Sequence, residues 1–164
     1  MPYYSKKRSY SKAYPKARHV DKKLLLRSGA LTAATQSNTV LFTPTVASTL
    51  SGLRINGSVI DTDGASSAPN ISWAVVVVKE GYAPNNINTG SSGDFYIPEQ
   101  DVWAWGVGQA STTTGASSSV DWVYQLDISP KTKRKLEEGD NLYLCVVSST
   151  TASMITNTQV FVSQ

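Results

Sequence analysis

Cysteine and histidine are nearly absent from this sequence, and each near-absence removes a class of chemistry. A lone cysteine, Cys145, rules out an intrachain disulfide framework. It lies in an apolar, strand-like run, which favours a small buried hydrophobe over a reactive thiol. The one histidine, His19, sits among cations with no partner to orient it, so it is a poor general base and at most a minor phosphate contact. With one thiol and one imidazole, a thiolate or imidazole metal centre is excluded. Serine is abundant, but no Gly-x-Ser-x-Gly elbow and no base to activate a hydroxyl accompany it. Gly106-Val-Gly108 is not followed by a helical pattern, so it is no phosphate cradle. The expectation is a protein that is not an enzyme, with no metal and no cofactor. Long hydrophobic runs are missing as well. None approaches the roughly 18 residues of a membrane span, and Leu24-Leu25-Leu26, interrupted by Arg27, is too short for a signal-peptide core. A chain made in the cytosol, with no membrane partner, is expected.

Charge is the next scarcity. Charged residues make up 16% of the 164 positions, against about 25% in an average soluble protein. Ser, Thr, Asn, Gly and Val fill the gap, a composition that favours strands and turns. Only residues 131–138 carry a helical apolar period with suitable caps.

What charge there is falls unevenly. Residues 1–27 hold nine Lys/Arg against the single acid Asp21, a net +8, whereas residues 28–164 hold six against eleven, a net −5. This is a basic arm on an acidic body. Residues 1–19, MPYYSKKRSYSKAYPKARH, have no apolar periodicity, two prolines and almost no branched aliphatics. They cannot bury enough surface to offset the entropy of ordering, so they are expected to be flexible until they meet a partner. Four of the eight tyrosines lie here, interleaved with cations. Cations neutralise phosphates while rings stack on unpaired bases, so the pattern points to single-stranded nucleic acid. The expected contacts are Lys6, Lys7, Arg8, Lys12, Lys16, Arg18, Lys22 and Lys23, with Tyr3, Tyr4, Tyr10 and Tyr14. A solubilising tail or a nuclear import signal is the plainer reading of the same residues, and import is compatible with binding.

Residues 20–164 read as one domain of short β-runs separated by turn-rich segments. Strands are expected near 22–34, 38–47, 51–61, 71–79, 100–108, 120–129, 141–148 and 154–163. Asp61-Thr-Asp-Gly64 and the stretches 83–94 and 111–119 supply the turns. Alternation is visible where Trp122, Tyr124, Leu126 and Ile128 oppose Val123, Gln125 and Asp127. Val75–Val78 is apolar on both faces, as for a strand covered on each side or facing an interface. Eight strands at this spacing without intervening helices indicate an all-β antiparallel sandwich, with the eight-stranded jelly roll as the leading arrangement.

Several features admit two readings. Segment 111–119 is a solvated turn or a receptor-contact loop. In Pro130–Asp140 four cations precede three acids, forming either an amphiphilic turn between strands or a patch that adds to nucleic-acid binding. Asp61 and Asp63, or Asp94, Glu99 and Asp101, serve turns and solubility, or hold a hard cation between subunits. Trp103, Trp105, Trp122 and Tyr124 divide between ordinary core packing and buried anchors of a subunit interface.

Three stretches resemble the capsid proteins of small circular, replication-initiator-encoding single-stranded DNA viruses, the circovirus-like group. Trp73-Ala-Val-Val-Val-Val-Lys-Glu-Gly81-Tyr-Ala-Pro84 looks like their strand, Glu-Gly, x-x-Pro element. Tyr96-Ile-Pro98-Glu-Gln-Asp-Val102, with Gly106, is similar to their Tyr-x-Pro-x-x-x-Val segment. Arg134-Lys135-Leu136 with Gly139-Asp140 is similar to the lead-in to their penultimate strand. With the arm, these span most of residues 1–148. The arm departs from the family in being rich in Lys and Tyr rather than Arg, and the chain is short. The resemblance implies a viral jelly roll that self-assembles, as sixty copies, into a small icosahedral shell. It also implies an inward-facing arm, a packaged circular DNA genome, residence in the virion and assembly in the host nucleus, and a host cell-surface receptor of unassigned chemistry. Coat proteins of RNA satellite viruses share the small jelly roll. A non-viral β-sandwich binding module and a cellular single-strand-binding barrel are the readings from other classes.

Overall fold

The computed structural model describes residues 20–87, 100–112 and 122–163. Side-chain alternation gives the chain its strands: β1 (Val20–Leu31), β2 (Ser37–Phe42), β3 (Ser48–Asp61), β4 (Asn70–Val78), β5 (Gln100–Gln109), β6 (Ser111–Thr112), β7 (Trp122–Ile128), β8 (Arg134–Leu136), β9 (Asn141–Ser148) and β10 (Ala152–Ser163). All eight expected strands are present, shifted by a few residues at their ends. The largest shift is in β2, which stops at Phe42 because Thr43-Pro44 follows and proline cannot donate to a ladder. The helical period of 131–138 is overturned. Leu136 instead enters the core as part of β8, whose residues pair with Ser48–Leu50 of β3. Three residues of strand pairing and a buried leucine outweigh a weak local helical preference.

Two sheets result. The first runs β1-β10-β3-β7-β6, with β8 alongside β3, and the second runs β2-β9-β4-β5. Setting aside the short β6 and β8, the pairing is nested. The first strand pairs with the last, the second with the next to last, the third with β7, and β4 with β5, all antiparallel. A chain doubled on itself and wrapped into two facing sheets in this way is an eight-stranded jelly roll.

The inner faces of the sheets share one core, containing Leu50, Leu53, Ile55, Val75, Leu142, Leu144 and Val160. A second apolar cluster lies on the outer face of the second sheet, where Ala74, Val76, Val78, Cys145 and Val147 pack with Ile87. The two-sided apolar character of Val75–Val78 thus comes from cover on both faces. Gln36 fixes that cover: its Oε1 accepts from the Ile87 amide at 2.6 Å, and its Nε2 donates to the Asn85 carbonyl at 2.9 Å. Burial in this cluster pushes the Cys145 thiol up to about 12, so it stays protonated and unreactive at neutral pH.

A bulge decides which tryptophans face inward. Val75 pairs with Ala104 and Val76 with Val102, leaving Trp103 as the extra residue of β5. Trp103 turns into the core, where its Nε1 donates to Thr132 at 3.0 Å, whereas Trp105 is 63% exposed. Gly106 admits the Trp73 ring, since a Cβ there would lie 2.5 Å from Trp73 Cζ2. Trp73 Nε1 in turn donates to the Tyr124 hydroxyl at 3.2 Å, tying β4 of one sheet to β7 of the other. Trp122, half-buried, donates to the Ala65 carbonyl at 2.8 Å.

Candidate nucleic-acid interface and exposed faces

Among the expected nucleic-acid contacts, Lys6, Lys7, Arg8, Lys12, Lys16, Arg18, Tyr3, Tyr4, Tyr10 and Tyr14 lie outside the described residues, as does His19. Lys22 and Lys23 are exposed on β1, an edge strand, and strand periodicity sends them to opposite faces. Lys22 lies on the outer face of the first sheet, its Nζ 5.8 Å from the Phe161 ring centre. Lys23 points to the other side, its Nζ 4.6 Å over the Phe42 ring, where its stem covers an edge of the core. The two cations do not share one surface.

β1 also exposes more apolar surface than its sequence suggested. Leu24 and Leu26 are 63% and 77% exposed on the outer face, and Ile155, 48% exposed, lies on the same face of neighbouring β10. The signal was present as a leucine run flanked by cations. Its two-residue spacing turns two of the three leucines outward.

Segment 130–140, which contains β8, is tied to the rest of the domain by ion pairs. Arg134 pairs with Asp101 at 3.0 Å, and Lys79 reaches Glu137 at 2.9 Å and Asp140 at 3.2 Å. Asp140, 2% exposed, also accepts from the Glu137 amide at 2.9 Å. The bond to Glu137, aided by Asp140, holds the Lys79 ammonium above its usual range. These pairings engage Glu137 and Asp140, two of the three acids of the segment, and leave Glu138 exposed. Lys131, Lys133 and Lys135 remain exposed and form no ion pair within the described residues.

The acidic positions read two ways are structural where they are described. Asp61 Oδ1 accepts from Thr150 Oγ1 at 2.7 Å and its Oδ2 from the Ala65 amide at 2.8 Å, while Asp63 accepts from the Thr151 amide at 3.0 Å. Together they pin the β3–β4 loop to the β9–β10 turn. Asp101 is engaged with Arg134, whereas Asp94 and Glu99 lie outside the described residues. Among the described residues, no three metal-capable side chains come together.

Burial raises the affinity of Asp61 for a proton, but bonds from the Thr150 hydroxyl and the loop amides outweigh it and hold the carboxyl below its ordinary 3.8. A depressed carboxylate contributes stability that is complete above its unfolded value and is lost as pH falls through the folded one. Asp61→Ala is therefore expected to lower stability by about 1–3 kcal/mol at neutral pH, and by less below pH ~3. Urea titrations of both chains at the two pH values test this, and a pH-independent difference would contradict it.

No protein-family model matches this chain, and no curated protein matches it. Solved structures that align with it include the following two. One is a structure of infectious bursal disease virus, Gx strain, at 11% identity and a TM-score of 0.31, covering 99% of this chain and 37% of the other. The other is the crystal structure of the infectious bursal disease virus VP2 subviral particle, at 10% identity and a TM-score of 0.30, covering 90% of this chain and 33% of the other. This chain thus spans about a third of the length of each.

Proposed function

We propose that this chain is the coat protein of a small non-enveloped virus, which self-assembles into a closed shell and packages a single-stranded genome through residues 1–19. One combination carries the reading: a nested eight-stranded jelly roll whose first strand is preceded by a strongly cationic, tyrosine-bearing segment. A jelly roll is a frequent solution for capsid subunits. A lectin-like sandwich has no use for such an arm, and a single-strand-binding barrel would carry its cations on the barrel rather than ahead of it. The motif resemblance noted above refines the proposal to a circular DNA genome, a sixty-subunit icosahedral shell and assembly in the host nucleus.

Electron microscopy and light scattering of the purified protein test assembly directly. Uniform closed particles are expected, and a monodisperse monomer across salt and protein concentration would sink the reading. Nuclease digestion of the nucleic acid from authentic virions separates DNA from RNA, the satellite-type alternative.

Binding by the arm is expected to be electrostatic and blind to sequence. Each phosphate neutralised on a single strand contributes roughly −0.7 to the slope of log K against log salt, so about six engaged cations give a slope near −4. Replacing Tyr3, Tyr4, Tyr10 and Tyr14 by alanine is expected to cost about 1–3 kcal/mol per stacked base and to leave that slope alone. Salt titration of an arm peptide against a fluorescent oligonucleotide checks both parts. A salt-independent affinity refutes the first, and equal affinity of the alanine peptide refutes the second.

A further inference from the structure

Strand register brings together on the outer face of the first sheet cations that the sequence holds far apart. Val20, where β1 begins, lies in one row with Ser163, Thr49 and Lys135. The following rows join Lys22 to Phe161 and Gly52, then Leu24 to Gln159 and Arg54. Between β3 and the β7–β8 connection this face is hollowed into a depression of about 310 Å³, lined by Gly52, Arg54, Ser129, Pro130 and Phe161. That volume is at the low end of small-ligand sites.

The composition of the depression is specific. The half-buried Phe161 ring packs over Gly52, where a Cβ would lie 3.4 Å from its Cδ2, and Lys22 stands beside it. Arg54 is exposed on the same wall, and Pro130 leads into exposed Lys131 and Lys133. Trp103 anchors this loop through Thr132, so the two lysines are displayed from a braced segment. Among the described residues these three rows carry no carboxylate, and the next row on this face carries Asp127. That carboxylate accepts from Asn56 at 3.1 Å. Glu137, which borders Lys135, is held by Lys79.

We propose that this depression is a second binding site for single-stranded nucleic acid, in which Phe161 stacks on one unpaired base while Lys22, Arg54, Lys131, Lys133 and Lys135 neutralise the flanking phosphates. An aromatic platform ringed by cations suits a single strand, because bases in a duplex do not offer their faces. The site rests on the reading that this chain binds a single-stranded genome. Its Lys22 lies three residues beyond the end of the arm, so a strand captured by the arm reaches it at high effective concentration.

The test uses the full chain and a thymidine oligonucleotide bearing bromodeoxyuridine. Photo-crosslinking is expected at the peptide containing Phe161 as well as in the arm. The triple variant Lys131→Gln, Lys133→Gln, Lys135→Gln is expected to make the salt slope shallower by about 2. Phe161→Leu is expected to weaken binding about tenfold without changing the slope. Should Phe161→Leu fail to fold by circular dichroism, the surface change Arg54→Gln serves in its place, with a slope shallower by about 0.7. Crosslinks confined to residues 1–19, together with a wild-type slope in the triple variant, would overturn this site and leave the arm reading intact. A full chain that does not bind the oligonucleotide at all would overturn the packaging reading itself.

Discussion

Gly57→Ala is expected to destabilise the domain by at least about 3 kcal/mol, although it adds a single methyl group. Gly57 sits mid-strand in β3, paired with Thr156 of β10 on one side and Leu126 of β7 on the other. A Cβ there would overlap the Ile155 carbonyl oxygen and lie 2.9 Å from Thr156 Cα. These are backbone atoms, so no rotamer change relieves the overlap. Neither strand can retreat: β10 is held on its far side by β1, and β3 by β7. The strain must therefore break ladder hydrogen bonds at the centre of the first sheet or push Thr156, fully buried, out of place. Gly29→Ala is the matched control, because a Cβ at that edge position meets nothing within 4 Å. It is expected to change stability by less than about 0.5 kcal/mol. Urea denaturation of the two variants beside the parent measures the contrast, and a wild-type midpoint for Gly57→Ala would show that β10 yields at this point.

Deleting residues 1–19 is expected to remove most of the packaged nucleic acid while leaving the fold intact. The segment holds six of the fifteen Lys/Arg and none of the twelve acids, so what remains has nine cations against twelve acids, a net −3. Such a body repels phosphate overall and keeps only local cationic patches. The core, by contrast, is drawn from Leu31 to Val162, so the thermal midpoint should correspond to a stability change within about 0.5 kcal/mol. The ratio of absorbance at 260 and 280 nm in purified particles reports the packaged content. If deletion prevents assembly, the salt slope of oligonucleotide binding by the dissociated chain reports the same loss. Truncated particles with the parental ratio would show that the body alone recruits the genome.

The strands were legible in the sequence because their cause is local. Alternation of Trp122, Tyr124, Leu126 and Ile128 against Val123, Gln125 and Asp127 locates β7 with no knowledge of its neighbours, and the turn residues around Gly64 end β3 in the same way. The basic arm was equally legible, since charge per segment is a property of composition. The burial of Cys145 followed from its apolar surroundings, but its place did not. It lies outside the second sheet, under cover that Gln36 clamps from a distant turn.

The remainder was decided only by long-range pairing. Trp103 and Trp105 are two residues apart and would share a face in a regular strand. The bulge opposite Val75 and Val76 turns one into the core and leaves the other exposed, and a bulge is defined by two strands together. Residues 131–138 carry a weak helical period, but a three-residue ladder with β3 and the burial of Leu136 prevail, because tertiary contacts outweigh small local propensities. Lys22 and Lys23 were both expected to contact nucleic acid, and the pleat sends them to opposite faces once β1 has a register against β10. The pairing of β10 with β3 likewise brings Phe161 and Arg54 to one depression, which Pro130 lines from a third part of the chain. Composition and alternation determine what each segment is, because those signals act between near neighbours. Which segments meet depends on loop closures that no local pattern encodes.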